Sequence, residues 1–240
     1  MSISKTEIKK FTSLNRKSKR KEHGLFLAEG EKICNELIKS NIVIEAFFAT
    51  NKHLEKFPDA RECTVSELNK ISKLKNTSEV LAVCKIPEKS KYMDDQKPLF
   101  FLDGIHDPGN MGSILRSLDW FGYQQVFCSN HTVDSYNNKV VMASMGSVFR
   151  VNTFYLDFKD FKTEFKNHTI YVTTIGGETI HSKILEKKSI FVIGNESHGV
   201  SVEIKNQTNK KIKIPGFGFA ESLNAAVATG IILYEFSKNV

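Results

Sequence analysis

The chain has 240 residues, 40% of them apolar, with 34 Lys and Arg against 27 Asp and Glu, a net charge of +7. That apolar share supports a packed core of one large domain or two modest ones, and no run of 18 apolar residues is present to span a membrane. The start, Met1 to Lys10, is polar and basic without the apolar stretch of a secretory signal.

The charge is unevenly placed. Residues 1–93 hold 19 Lys and Arg against 12 Asp and Glu, and residues 94–240 hold 15 of each, so the whole excess lies in the first segment. Its densest part runs from Asn15 to Lys21, with Arg16, Lys17, Lys19, Arg20 and Lys21. A solvated, flexible basic arm is one reading of that run. Segregation of all the surplus onto one segment favours the other, a polyanion partner, and makes these five residues the candidate nucleic-acid contacts.

The first segment has the pattern of a small α/β domain. Leu25–Ala28 predicts a strand, and residues 30–40 a helix with Ile33, Leu37 and Ile38 inward. Val43–Phe48 predicts a second strand, and Ser66 is a candidate cap for a helix containing Leu68 and Ile71. Leu81–Cys84 predicts a further strand. His23 and His53 stand alone, with no catalytic cluster around them. Cys34, Cys63, Cys84 and Cys128 form no C-x-x-C pair, so buried free thiols of a cytoplasmic protein explain them better than disulfides or zinc. The polar stretch from Ile86 to Pro98 is the best boundary, dividing the chain into 1–93 and 94–240.

Beyond it, Leu99–Leu102 is a continuous apolar run, as expected of a strand buried on both faces of a parallel sheet. A turn-rich loop over 103–112 follows, then a helix from Ser113 to Phe121. Gln125–Cys128, Phe149–Val151, Thr169–Thr174 and Ile190–Ile193 predict more strands, and Met142–Ser147 small-residue helix packing. Phe154, Phe158, Phe161 and Phe165 recur at helical spacing and are assigned to the core. A last apolar helix is predicted from Ser222 to Phe236. Alternating strands and helices make an α/β domain with a mostly parallel sheet.

Three loops therefore follow strands, at 103–112, 194–199 and 215–222, and they hold or flank Asn110, Arg116, Glu196, Ser222 and Asn224. Two familiar phosphate-binding motifs fail here. Gly216-Phe217-Gly218-Phe219-Ala220-Glu221 carries Glu221 where the dinucleotide motif needs Gly or Ala. Gly194–Ser201 has the frame of a phosphate loop but Val200 in place of its lysine. Singly, each polar residue has a structural explanation: a turn at Asn110, an ion pair at Arg116, a helix cap at Ser222.

Together, Asp107-Pro108-Gly109-Asn110-Met111-Gly112-Ser113-Ile114-Leu115-Arg116, then Ile193–Ser201, then Ile214–Asn224 resemble the three ordered motifs of the SpoU/TrmH family of the SPOUT superfamily. These are S-adenosylmethionine-dependent RNA ribose 2′-O-methyltransferases. The basic first domain is similar in size, charge and position to the L30e-like substrate-binding domain of the rRNA-modifying branch. The resemblance implies a C-terminal trefoil knot, a homodimer, no metal, and RNA, with 23S rRNA favoured, as substrate. tRNA is the alternative substrate, and a non-catalytic RNA-binding or ribosome-assembly role on the same fold is the alternative function. It also implies Arg116, Asn110, Glu196, Ser222 and Asn224 as the catalytic set. Gly194, Asn195, Gly199, Ile214, Pro215, Gly218, Ser222 and Leu223 would grip the cofactor.

Overall fold

The computed structural model describes residues 3–74, 78–88, 91–92, 97–180, 188–208 and 210–238. In chain order the elements are α1 (Lys5–Ser13), α2 (Lys17–His23), β1 (Leu25–Glu29), α3 (Glu31–Ile38), β2 (Ile44–Ala49), β3 (Arg61–Glu62), α4 (Val65–Ile71) and β4 (Val80–Lys85). Then come β5 (Leu99–Asp103), α5 (Pro108–Trp120), β6 (Gln125–Cys128), α6 (Asn138–Ser144), β7 (Asn152–Tyr155), α7 (Phe158–Glu164), β8 (Thr169–Thr179), β9 (Ser189–Gly194), α8 (Val202–Asn206), β10 (Lys210–Lys213) and α9 (Ala225–Ser237). They form two compact units, residues 1–89 with 134–149, and residues 90–133 with 150–240. The segment 134–149 follows the boundary seen in the sequence, yet it groups with the basic unit.

In the basic unit the sheet order is β1-β4-β2-β3, with β4 antiparallel to both β1 and β2. Phe11, Leu14, Leu27, Phe48, Leu68 and Ile71 pack one core cluster. Helices α1 and α4 start with the same device: Ser4 with Glu7, and Thr64 with Glu67, form reciprocal capping boxes. Thr64, three residues before a glutamate, thus takes the place expected of Ser66, because only that spacing satisfies two helix-end N–H groups at once. The basic run is not an extended arm. It forms α2, closed by Gly24 at φ 63°, and its Arg20 is 2% exposed. The Arg20 guanidinium donates to Asp134 Oδ2 at 2.5 and 2.9 Å and to the Leu14 carbonyl at 2.8 Å. That pair ties segment 134–149 to α2, and removing one partner of such a buried pair costs about 3–5 kcal/mol.

The second unit holds six parallel strands in the order β10-β8-β9-β5-β6-β7. β5 and β9 are buried along their first four and five residues, respectively, as two-faced burial in a parallel sheet requires. Phe101, Phe127, Phe154, Phe158 and Phe161 join one core cluster, with Phe127 and Phe154 stacked at 5.4 Å. The phenylalanine series is core as expected, although Phe154 lies on β7 and only the later members on α7 or at its end. Where a strand over Phe149–Val151 was expected, Ser147–Phe149 form a 3-10 turn and the strand starts at Asn152. Met145 at φ 50° and Gly146 at φ 95° end α6 and curl the chain into that turn. All four cysteines are buried free thiols. Burial pushes the thiol of Cys34 up to about 12 and that of Cys63 up to about 11, and also raises Cys84 and Cys128. No helix of the described residues is long and apolar enough to cross a membrane.

Glu29, at the end of β1, is 2% exposed. Asn138 Nδ2 lies 3.4 Å from its Oε1, while Glu29 Oε2 and Asn138 Oδ1 have no hydrogen-bond partner among the described residues. Burial raises the Glu29 carboxyl above its ordinary range, against a hydrogen bond from Ser72 that lowers it. A carboxyl raised in the folded state stabilises when protonated, and that contribution is lost as pH rises through the folded pKa. Glu29→Gln should therefore gain melting temperature relative to the parent as pH goes from about 5 to about 8, followed by circular dichroism. A difference that does not change with pH would contradict a raised carboxyl.

Candidate functional site

The second unit reverses its winding at β5. From β5 the chain lays down β6 and β7 on one side, then returns to place β9 and β8 on the other. Such a switch point opens a crevice beyond the carboxyl ends of the two central strands, and ligands of parallel α/β sheets sit there. Asp103 of β5 and Gly194 of β9 are paired in register at that edge, so the loops that follow them begin side by side.

After β5 the chain turns at Gly104, φ 69°, whose N–H donates to Ser129 Oγ at 2.9 Å. Asp107 then caps α5, accepting from the Asn110 N–H at 2.8 Å, with Pro108 at the first helical position. The helix begins five residues before the expected Ser113. Asp-Pro is an N-cap and N1 pair whose fixed φ favours the first turn. Asn110 consequently stands on the first turn of a rigid helix instead of in a loop.

After β9 the chain closes tightly on itself. Asn195 and Gly199 exchange both backbone hydrogen bonds, at 3.1 and 2.8 Å. A Cβ at Gly194 would stand 2.1 Å from the Val200 nitrogen and 2.2 Å from the Gly199 carbonyl carbon, so no side chain fits. Asn195 acts as a staple. Its Oδ1 accepts from the N–H groups of Ser197 and His198, and its Nδ2 donates to the Gly104 carbonyl at 2.8 Å. Asp103 Oδ2 accepts from the Ser201 N–H at 2.7 Å, fastening the loop's far end to β5.

A line of side-chain amides joins all three loops. Asn110 Nδ2 donates to Glu196 Oε1 at 2.5 Å, and Asn110 Oδ1 accepts from Asn224 Nδ2 at 2.7 Å. Asn224 Oδ1 in turn accepts from the N–H groups of Ala226 and Val227, at 2.9 and 3.3 Å, as the cap of α9. The last helix therefore starts at Ala225 and not at Ser222, because Asn224 supplies the cap.

The other expected residues are placed differently. Ser222 and Leu223 are exposed in the stretch before α9, and Ser222 has no hydrogen-bond partner among the described residues. Ile214 and Pro215 are half-buried, and a Cβ at Gly216 or Gly218 would meet nothing within 4 Å. Arg116 is exposed and without an ion pair among the described residues. It lies about 9 Å further along α5 than Asn110 and on a different side of the helix, six residues being neither one turn nor two. The amide line thus gathers Asn110, Glu196 and Asn224 and leaves Arg116 apart. Asp103 and Asp107, which the sequence reading passed over, hold the loops in place. A carboxylate at a buried strand's end and one directly before a proline were the available signals. In the basic unit, Arg16, Lys17 and Lys21 are exposed, Lys19 pairs with Glu22 at 2.5 Å, and Arg20 is internal.

Residues 97–234 match the SpoU rRNA Methylase family, and residues 5–82 match the MRM3-like substrate binding domain. The chain is 25% identical over 236 residues to the 23S rRNA (guanosine(2553)-2′-O)-methyltransferase RlmP of Bacillus subtilis, covering 95% of this chain and 94% of that one. A putative RNA methyltransferase of the TrmH family from Porphyromonas gingivalis superposes with a TM-score of 0.85 at 29% identity, over 98% of each chain. An AdoMet-bound rRNA methyltransferase from Sinorhizobium meliloti superposes with a TM-score of 0.86 at 25% identity, covering 99% of this chain and 97% of that one.

The glycine geometry gives a direct check on the second loop. Gly194→Ala should open the 195–199 turn and speed hydrogen exchange of the Asn195 and Gly199 amides, because backbone cannot move aside as a side chain can. Gly216→Ala, with open space around it, should leave those amides protected. Equal protection in both variants would contradict the close approach at Gly194.

Proposed function

The chain belongs to the SpoU rRNA methylase family, and from that we propose that it transfers a methyl group from S-adenosylmethionine to a ribose 2′-hydroxyl of 23S rRNA. The observation that carries this reading is the hydrogen-bonded line Glu196–Asn110–Asn224 at the carboxyl edge of β5 and β9. It collects polar groups able to receive a hydroxyl where a parallel α/β sheet binds its ligands. The match over almost the full length of an rRNA enzyme, basic unit included, supports rRNA over tRNA.

The residues suit the cofactor. The Gly194–Gly199 turn packs backbone against backbone and leaves no bulk, and Gly216 and Gly218 have free space around them. Leu223, 47% exposed, offers an apolar surface for a base. Gly194, Asn195, Gly199, Ile214, Pro215, Gly218, Ser222 and Leu223 are thus the proposed cradle, with Asn195 contributing by stapling the loop. When bound, S-adenosylmethionine supplies a methyl group on a positively charged sulfur, already activated for transfer.

The protein must then orient the hydroxyl and draw off its proton. Glu196 receives one Asn110 hydrogen bond on Oε1, and its Oε2 is the group we assign to accept the proton. Asn110 and Asn224 hold that carboxylate in place and each retain a second amide hydrogen to offer the ribose. Ser222 is left to contact substrate. The guanidinium of Arg116, set apart from the amide line, is assigned to fix a neighbouring phosphate of the substrate and so to position the ribose. We infer also a cytoplasmic homodimer with the family's trefoil knot, residues 1–93 binding RNA and residues 94–240 performing the transfer. Exposed Trp120 on α5, with Val227 and Tyr234 two turns apart on one side of α9, supports pairing of two copies there.

Methyl transfer from labelled S-adenosylmethionine to separated rRNA and tRNA, mapped by alkali-resistant linkages, tests the reading. A resistant site in 23S rRNA is expected. Label in tRNA would overturn the substrate, and no label with no cofactor binding would leave a non-catalytic RNA-binding role. Arg116→Ala should lower kcat about 100-fold or more while cofactor affinity holds. Equal loss of both would sink the role assigned to Arg116.

A further inference from the structure

Several cations of the basic unit are held by carboxylates. Lys52, Lys56 and Arg61 each lie 2.6 Å from a carboxylate, of Glu79, Glu31 and Glu7 respectively, and Lys85 lies 3.7 Å from that of Glu45. Arg20 is buried on Asp134. By contrast, the side-chain amines of Lys5, Lys9, Lys70 and Lys73 are exposed and have no carboxylate or hydrogen-bond partner among the described residues.

Those four belong to one strip. Thr12 Oγ1 donates to the Lys70 carbonyl at 2.7 Å, and Asn15 Nδ2 donates to the Ile71 carbonyl at 3.0 Å, so the end of α1 lies against the end of α4. Lys9 and Lys5 share a face of α1 with Thr12, three and seven residues back, and Lys5 lies about 10 Å from Thr12 along the axis. Lys73 follows Ser72, the C-cap of α4.

The capping boxes keep the strip unneutralised. Glu7 pairs with Arg61 and folds back onto Ser4, and together these hold its carboxyl down at about 2. Glu67 accepts from the N–H and hydroxyl of Thr64 at the opposite end of α4 from Lys70. The only acidic side chains on the two helices are thus turned toward their N-terminal ends. Lys70, in the last turn of α4, is also favoured by the helix dipole, but Lys5 sits in the first turn of α1, where a cation opposes it. Helix stability does not account for Lys5.

We propose that Lys5, Lys9, Lys70 and Lys73 form a phosphate-binding strip for the backbone of the RNA substrate. The inference rests on the reading of the protein as an RNA methyltransferase and shifts the main RNA contact from α2 to the joined ends of α1 and α4. Contacts of this kind position the RNA without reading its sequence.

The test uses the full chain and in vitro transcribed 23S rRNA, with affinity measured across a range of salt. In the variant carrying Lys5→Gln, Lys9→Gln, Lys70→Gln and Lys73→Gln, affinity should fall about tenfold or more at moderate salt. The slope of log affinity against log salt should shrink by about 3, reflecting the lost phosphate contacts. Cofactor affinity and kcat at saturating RNA should hold, and the four Lys→Arg changes should restore binding. Lys52→Gln with Lys56→Gln removes cations already paired and should leave the slope nearly unchanged. A parental slope in the fourfold variant, or an equal loss in the Lys52 and Lys56 control, would overturn the strip. Failure of the parent protein itself to bind or methylate any RNA would instead overturn the reading beneath it.

Discussion

The candidate site depends on how one amide is shared. Asn110 has an acceptor and a donor, and the fold engages each with a different loop, Glu196 through Nδ2 and Asn224 through Oδ1. No other residue type of that length offers both functions in a fixed plane. Aspartate would lose the donor and face the Glu196 carboxylate with a like charge, and leucine would lose both. Because Asn110 stands on a helix capped by Asp107, its position is fixed by backbone that begins at a buried strand. That side chain brings the third loop onto the first two, which Asn195 and Asp103 also fasten to each other.

Everything around it serves to bring those loops together. The parallel sheet places β5 and β9 side by side, the Asp103–Gly194 register aligns their ends, and the Gly194 contact allows the second loop to fold flat against itself. Asn224 contributes twice, as the cap of α9 and as the donor to Asn110. A helix end leaves N–H groups without partners, and here the residue that satisfies them also joins the loops. The same economy recurs in the basic unit, where capping glutamates satisfy helix ends and leave lysines elsewhere uncompensated.

Much of this was legible in the residues, for identifiable reasons. Leu99–Leu102 and Ile190–Ile193 read as doubly buried strands because their apolar runs are unbroken, and the three loops follow from where such runs stop. The start of α5 was misplaced because Asp107-Pro108-Gly109-Asn110 has the composition of a turn, and only the capping geometry of Asp107 turns it into a first helical turn. The basic run at 15–21 read as one electrostatic feature. What its composition could not reveal is that Arg20 faces inward to Asp134, a partner 114 residues away. The grouping of 134–149 with the first unit is tertiary in the same sense, since nothing local to that segment marks it. Likewise, nearness in sequence put Arg116 beside Asn110, whereas helical geometry separates them.

The central claim is that Asn110 and Glu196 act as one unit in catalysis. A double-mutant cycle on kcat for methyl transfer, with Asn110→Ala, Glu196→Ala and both together, measures this directly. The account predicts a loss in the double variant well short of the product of the two single losses, because Glu196→Ala removes the very carboxylate that Asn110 holds. Losses that multiply in the double variant would show two independent residues, and would contradict a site built on the shared amide of Asn110.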